Sequence, residues 1–433
     1  MSGDPRHILA NSPMNALQIT AVAICIILNA LDGFDVLAIS FASPGIVEEW
    51  NINRAQLGIV LSMELFGMAG GSILLGGIAD KVGRRPTIIA CLLVMSLGMY
   101  LASVVTSLTT LSVVRLFTGV GIGGMLAAIN AMAAEYSNAR FRNLAVILMA
   151  TGYPLGAVVG GSVASLLLIS FDWRAVFLFG AIVTGSFLLL VWFLLPESIE
   201  YLAEKRPAGA LERINATLKR MGHQTVEALP SVVVSVRHKG IGKLFSPALL
   251  SITVLLTLAY FAHIMTFYYI IKWIPKIVVD MGYAASAAGG VLVWANVGGA
   301  TGCVILSLLT RYFDLRRLII VILLLATVMV IVFGLGQSEL SQLATVAAVA
   351  GFFTNSAVVG LYALFAQCFP TEVRASGTGF AIGVGRGGAA LGPIVAGFLF
   401  AGGHGLITVS IFMSLGSLIA AFCLMKLRYG QSV

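Results

Sequence analysis

The chain has 433 residues, of which 59% are hydrophobic and only 10% charged, and its mean hydropathy is +1.00. Water-soluble domains carry about 25% charged residues, so a soluble surface is excluded and the greater part of the chain must lie in lipid. The formal charge of +8, from 26 Lys and Arg against 18 Asp and Glu, therefore bears on membrane orientation rather than on nucleic acid.

The first apolar stretch begins near Met14, runs too long for a signal sequence and lacks a small-residue cleavage site, so nothing is expected to be removed. A helix needs about 20 apolar residues to cross the hydrocarbon core. Read between charges and turn signals, about twelve such stretches follow in chain order: 15–40, 55–79, 86–105, 109–135, 142–169, 173–195, 247–272, 285–309, 316–336, 341–367, 375–400 and 404–426. No Asp, Glu, Lys or Arg occurs in 143–171, 281–310, 340–371 or 387–425. The predicted fold class is an all-α membrane protein. The five cysteines (Cys25, Cys91, Cys303, Cys368 and Cys423) fall in apolar stretches without paired spacing and read as core residues, with no disulfide framework and no metal site.

With the N-terminus placed in the cytoplasm, the inside segments hold 20 Lys and Arg and the outside loops hold four, Arg54, Arg174, Lys272 and Lys276. Arg115 and Arg386 fall within spans. That bias is a strong positive-inside signal and predicts both termini cytoplasmic. The one long polar segment, 197–246, reads as a cytoplasmic linker with short helices. Its stretch Ala208–Met221 sets Leu211, Ile214 and Leu218 on one face, which suits either the lipid interface or a solvated connector.

Six spans, a linker and six spans suggest duplication. A shift of 232 residues sets Arg142 on Arg374, Gly156 on Gly388, Gly160 on Gly392 and Glu135 on Gln367, and a shift of 234 sets Asp80 on Asp314. The predicted organisation is an N-terminal six-helix bundle over 1–196, the linker over 197–246, and a C-terminal six-helix bundle over 247–433. Two such pseudo-symmetric bundles around a central axis can open a cavity to either side, a transporter layout.

The motifs then give a family resemblance. Gly76–Arg85 (GGIADKVGRR), Arg115–Gly124 (RLFTGVGIGG) and Pro196–Leu202 (PESIEYL) resemble the loop 2–3, span-four and span-six signatures of the major facilitator superfamily. Asp32–Asp35 (DGFD) and Phe369–Pro393 (FPTEVRASGTGFAIGVGRGGAALGP) resemble the aromatic acid:proton symporter family, which includes 4-hydroxybenzoate, protocatechuate and benzoate transporters. The resemblance covers nearly the whole chain. It implies a multi-pass protein of the bacterial cytoplasmic (inner) membrane, working as a monomer, with a small aromatic acid, the proton and the lipid bilayer as its partners and no nucleic acid. No cofactor is expected, since the proton gradient supplies the drive.

Ionisable side chains within a bilayer cost several kcal/mol and are functional candidates by default. Asp32 and Asp35 share a face of span one at i, i+3. Two close carboxylates in a low dielectric repel one another, which suits proton coupling; the alternative is a permanent structural bond, with Gly33 loosening the helix to allow it. Arg115 and Arg386 never deprotonate and each requires an anion. Arg386, ~18 Å along span eleven at the helical rise and flanked by Gly383, Gly385, Gly387 and Gly388, suits a bidentate grip on a substrate carboxylate. The resemblance assigns Arg115 to proton coupling or extracellular gating, in an ion-pair network with Asp32 or Asp35. Glu64 in span two either lines an external vestibule or pairs with Arg115 or Arg54.

Asp80, Gly83, Arg84, Arg85, Glu135, Arg142, Asp314 and Arg374 form the candidate cytoplasmic gate: Asp80 can accept from Arg142, and Arg84 or Arg85 can meet Glu135. The candidate substrate wall comprises Phe34, Tyr153, Phe261, His263, Tyr268, Trp294, Asn296, Asn355 and Tyr362 beside Arg386. Span seven is dense in aromatics, of which Tyr269 and Trp273 suit interfacial anchoring, and a lone histidine such as His263 more often makes structural hydrogen bonds. No zincin, nucleophile-elbow or P-loop motif occurs, so an enzyme is not expected. The leading expectation is proton-coupled uptake of an aromatic carboxylate by alternating access. The alternatives are a drug or organic-anion exporter, or uptake of another small carboxylate or a sugar. Ala157, where the exporters' span-five motif has proline, weighs against export.

Overall fold

The computed structural model describes residues 4–229, 240–370 and 373–427. Among them twelve helices are long and apolar enough to cross a membrane, and no strand occurs. These are α1 (Ala16–Trp50), α2 (Arg54–Val82), α3 (Arg84–Val104), α4 (Leu108–Glu135), α5 (Arg142–Ser170), α6 (Arg174–Leu194), α7 (Pro247–Asp280), α8 (Ala285–Leu309), α9 (Leu315–Gly334), α10 (Leu340–Cys368), α11 (Arg374–Ala401) and α12 (Leu406–Lys426). The chain is thus an all-α, multi-pass membrane protein. Polar caps set several helix starts: Asn15 with Gln18, and Asn53 with Gln56, form reciprocal capping boxes at α1 and α2.

Two helices run eight to ten residues past their expected ends. α1 reaches Trp50 instead of 40, and α7 reaches Asp280 instead of 272. Both continue through a proline, Pro44 and Pro275, and both end near an acid, Glu49 and Asp280. At Pro44 the carbonyl that loses its helical donor, that of Ser40, accepts from Ser43 Oγ at 2.8 Å instead. The extension of α7 carries Lys272 and Lys276 out of the expected loop and into the helix, where their side chains are 0% and 10% exposed.

The helices of each half pack in the same order: α1 on α5, α2 on α4, α3 on α4 and α6, and correspondingly α7 on α11, α8 on α10, α9 on α10 and α12. Glycines set the closest crossings. A Cβ added at Gly67 or Gly119 would lie 2.0 Å from a carbonyl of the facing helix in the α2–α4 pair, and one at Gly298 or Gly351 would lie 1.9 or 2.0 Å from a carbonyl in the α8–α10 pair. Small residues let backbones approach where lipid supplies no hydrophobic drive.

Between the halves, α2 meets α11 and α5 meets α8. The face that carries both described ends of the chain is the terminal face; the other is the opposite face. Toward the opposite face the halves interlock. A Cβ at Gly58 would sit 2.5 Å from the Pro393 carbonyl, one at Gly397 2.6 Å from the Arg54 carbonyl, and one at Gly289 2.4 Å from Ser165 Oγ. Toward the terminal face, Gly70 and Gly77 of α2 and Gly379 and Gly383 of α11 stand in open space. The same helices touch toward one end and lack close neighbours at these glycines toward the other, so the halves are closed on the opposite face.

The described linker includes helices Ile199–Lys205, Ala210–Arg220 and Gly240–Leu244. Ile214 and Leu218 are fully buried and Leu211 packs on the core. The apolar face therefore lies against the protein, neither on lipid nor in solvent. Asn15 Nδ2 donates to the Met221 carbonyl at 3.2 Å, tying the segment to the start of α1. The expected linker charges Arg237 and Lys239 lie outside the described residues.

Candidate functional site

Asp32 and Asp35 lie one turn apart on α1, 2% and 0% exposed. Both oxygens of Asp32 and Oδ1 of Asp35 lack a hydrogen-bond partner; Oδ2 of Asp35 receives only a long contact from Thr184 Oγ1, 3.5 Å. Gly33 between them stays helical. Its role is close approach rather than loosening: a Cβ there would lie 2.0 Å from the Tyr153 carbonyl of α5. On the same crossing Asn29 Nδ2 donates to the Met149 carbonyl at 2.7 Å and, at 3.4 Å, to that of Ala150, which Pro154 leaves without its helical donor.

Arg115 on α4 is fully buried and forms an ion pair with Glu64 of α2, also fully buried. The guanidinium also donates to the Asp35 backbone carbonyl at 2.8 Å, meets Met99 Sδ at 3.0 Å, and lies 5.4 Å from the Phe177 ring centroid. The expected pairing of Arg115 with an aspartate carboxylate is thus corrected: its anion is Glu64. Breaking a buried pair by removing one partner costs about 3–5 kcal/mol, so this one is firmly held.

Sequence reading missed Lys272. Its ammonium, fully buried, donates to the Val36 carbonyl of α1 and lies 3.6 Å from Glu64 Oε2. A charge near the end of an apolar run looks like a loop residue. The signal that could have corrected this is the resumption of the run at Trp273, Ile274 and Ile277–Val279, together with a shift of 231 residues that sets Pro275 on Pro44 and Asp280 on Glu49.

Arg386 on α11 is partly exposed. Among the described residues it has no hydrogen-bond or ion-pair partner. Around it the glycines are filled from α7: a Cβ at Gly385 would lie 2.1 Å from the Tyr260 ring, and one at Gly387 3.5 Å from the Phe261 ring. Tyr260 and Tyr362 bond hydroxyl to hydroxyl at 2.8 Å with ring centroids 5.5 Å apart. Tyr153 of α5 has a buried hydroxyl with no hydrogen-bond partner among the described residues, and Tyr268 packs edge-on to Phe267 with ring centroids 5.3 Å apart. Tyr260 and Phe261 of α7, with Tyr362 of α10 bonded to Tyr260, thus pack on the glycines beside a cation that has no partner among the described residues. A planar anion fits that arrangement chemically.

Other expected wall residues lie elsewhere. His263 is fully buried with both nitrogens engaged, Nδ1 with Ser417 Oγ at 2.9 Å and Nε2 with the Thr354 carbonyl at 2.8 Å. The carbonyl accepts, so Nε2 carries a proton, and the residue is a strut joining α7, α10 and α12. Phe34 packs edge-on to Phe179, centroids 5.4 Å apart, and against Gly160, inside the first half. Trp294 is 56% exposed on the outside of α8. Asn296 donates to the Leu292 carbonyl of its own helix at 2.9 Å, and Asn355 packs against Gly299 at the α8–α10 crossing. Tyr269 and Trp273, expected at the interface, are fully buried or nearly so and bond to Ser410 Oγ and the Pro393 carbonyl.

At the terminal face Arg84 meets both Asp80 and Glu135. Glu197 caps the start of α3, accepting from the Arg84 and Arg85 amides at 2.9 and 3.2 Å. Gly83 lies at φ +118, and a Cβ there would sit 2.4 Å from Glu197 Oε2, so this turn admits no side chain. Asp80 does not reach Arg142; it pairs with Arg84 one turn away, its side chain 62% exposed, and Arg142 and Arg374 are exposed too. Asp314 caps α9 through the Arg317 amide at 3.0 Å, and Arg316 takes the carbonyls at the end of α12, Leu424 and Met425, both at 2.7 Å. The degraded second copy has become a helix cap.

Residues 25–341 match the profile of the Major Facilitator Superfamily. The chain belongs to that superfamily. Curated relatives include the gallate transporter of Pseudomonas putida, 28% identical over 98% of this chain and 94% of the relative, and the 4-hydroxybenzoate transporter PcaK of Acinetobacter baylyi, 29% identical over 92% and 88%. Among solved structures, a D-xylose-proton symporter superposes with a TM-score of 0.74 at 17% identity, covering 94% of this chain and 97% of that one. This major facilitator protein is a transporter and not an enzyme.

Proposed function

We propose that the chain imports an aromatic carboxylate together with protons, by alternating access, across a bacterial inner membrane with its terminal face in the cytoplasm. The observation that carries this reading is Arg386: a guanidinium with no ion-pair partner among the described residues, partly exposed, beside glycines filled by Tyr260 and Phe261, with Tyr362 bonded to Tyr260. A guanidinium deep in a membrane protein requires an anion. A carboxylate accepts its fork of N–H donors, while the tyrosine and phenylalanine faces take the ring. The gallate and 4-hydroxybenzoate transporters among the relatives support the same class of cargo.

Asp32 and Asp35 are the proton carriers in this reading. Neither carboxylate is committed to a cation, so each can gain or lose a proton without breaking an ion pair. Protons entering with the anion compensate its charge, and their gradient drives accumulation with no cofactor. The lower positive charge of the opposite face supports its external orientation. Uptake of a panel of labelled aromatic acids into proteoliposomes, with and without an inwardly directed proton gradient, tests the proposal. Gradient-dependent accumulation of at least one hydroxybenzoate is expected; none across the panel would defeat it.

A further inference from the structure

The charges of α2 and α7 form a ladder into the closed side. At the rim Arg54 of α2 pairs with Asp280 of α7 at 3.0 Å, and Lys276 pairs with the same Asp280. One turn deeper than Lys276, Lys272 enters the first half, meeting the Val36 carbonyl and Glu64. Glu64 Oε1 holds Arg115, whereas Glu64 Oε2 has no hydrogen bond and only the Lys272 ammonium nearby. Arg115 in turn grips the carbonyl of Asp35. Lys272 is thus a cation of the second half inserted into an ion network that otherwise belongs to the first.

We infer that Lys272 is a positioning residue that ties closure of the opposite face to the charge state of the acid cluster. The inference rests on the alternating-access reading above. Lys272 reaches Glu64 and Val36 only while α7 lies against α1 and α2. When the halves part on that face, α7 carries the ammonium away. One positive charge is therefore delivered to the Glu64–Arg115–Asp35 neighbourhood in one conformer and withdrawn in the other. Conformation and charge on the acids are then linked reciprocally: whatever changes the charge there changes the balance between open and closed. The device asks nothing of the cargo site around Arg386.

A cross-link reports closure without any cargo. A Cβ built at Gly289 lies 3.3 Å from Ser165 Cβ, within reach of a disulfide after a small adjustment, so Ser165→Cys with Gly289→Cys forms a bond only when the opposite face is closed. In the full-length protein in proteoliposomes, oxidation of this pair should be fast. Adding Lys272→Met should slow it, by up to about tenfold for a loss of ~1.4 kcal/mol of bias, and Lys272→Arg should restore most of the rate. Glu64→Gln, which leaves Lys272 without its anion, should slow it as well. Unchanged cross-linking in both Lys272→Met and Glu64→Gln would overturn the inference, as would equal slowing by Lys272→Met and Lys272→Arg, which would indicate mere packing damage. Because no aromatic acid enters the assay, failure of the cargo assignment leaves this result intact, and the reverse.

Discussion

Arg115 reaches Asp35 through the backbone carbonyl, at 2.8 Å, and not through the carboxylate. Its anion is Glu64, two helices away in sequence and fully buried. The network that looks like a cation between two aspartates is therefore two separable devices: a structural and gating ion pair, Glu64 with Arg115, and an unpartnered acid pair, Asp32 and Asp35. The predictions below depend on that separation.

Removing the structural pair should cost stability. Glu64→Gln leaves Arg115 buried without an anion, an uncompensated charge worth about 3–5 kcal/mol. Asp35→Asn keeps the carbonyl that Arg115 uses and should cost less than about 1 kcal/mol by the same logic. Thermal unfolding in detergent checks both; equal losses would place the Asp35 carboxylate inside the ion network after all.

Removing the acid pair should instead uncouple transport. Asp35→Asn should abolish accumulation against a gradient more than it slows exchange of labelled for unlabelled cargo, because exchange needs no net proton movement. If accumulation survives in both Asp32→Asn and Asp35→Asn, coupling resides elsewhere.

Arg386→Lys keeps the charge and loses the planar fork. A charge-assisted hydrogen bond is worth about 1.5–3 kcal/mol, so affinity for an aromatic carboxylate should fall ~10- to 100-fold with little change in unfolding temperature. Equilibrium binding by calorimetry reads this directly, and undiminished affinity would move the binding site away from α11.

His263→Gln should leave the pH profile of uptake unchanged. Both ring nitrogens are already satisfied by Ser417 and the Thr354 carbonyl, and glutamine can supply one donor and one acceptor in their place. A displaced pH optimum would return His263 to the proton path.

The sequence made the helices legible because a span of apolar residues between charges has few other fates in lipid, and ten of the twelve expected ends lie within three residues of the observed ones. The exceptions, α1 and α7, ran on through Pro44 and Pro275; at Pro44 the hydroxyl of Ser43 satisfies the carbonyl that proline frees. The acids of α1 and both intramembrane arginines were visible for the same reason, their cost in lipid. Their partners were only narrowed: Glu64 stood beside Asp32 and Asp35 as an anion open to Arg115. Which anion faces Arg115 depends on the glycine-set crossing of α2 on α4, where Gly119 lies against the Glu64 backbone, and no spacing along the chain encodes that register. Aromatic residues fared worst: Phe34, Trp294 and Phe261 are alike in type, and only rotation of their helices decides that one packs inward, one faces outward and one packs on Gly387 beside Arg386.

Proton movement accompanying cargo tests the central claim most directly. With a pH-sensitive dye sealed inside proteoliposomes, adding 4-hydroxybenzoate outside at neutral pH should acidify the lumen faster than in protein-free vesicles, and Asp35→Asn should remove that excess. Labelled acid entering through the protein while the lumen pH follows the protein-free control, or rises, would contradict symport.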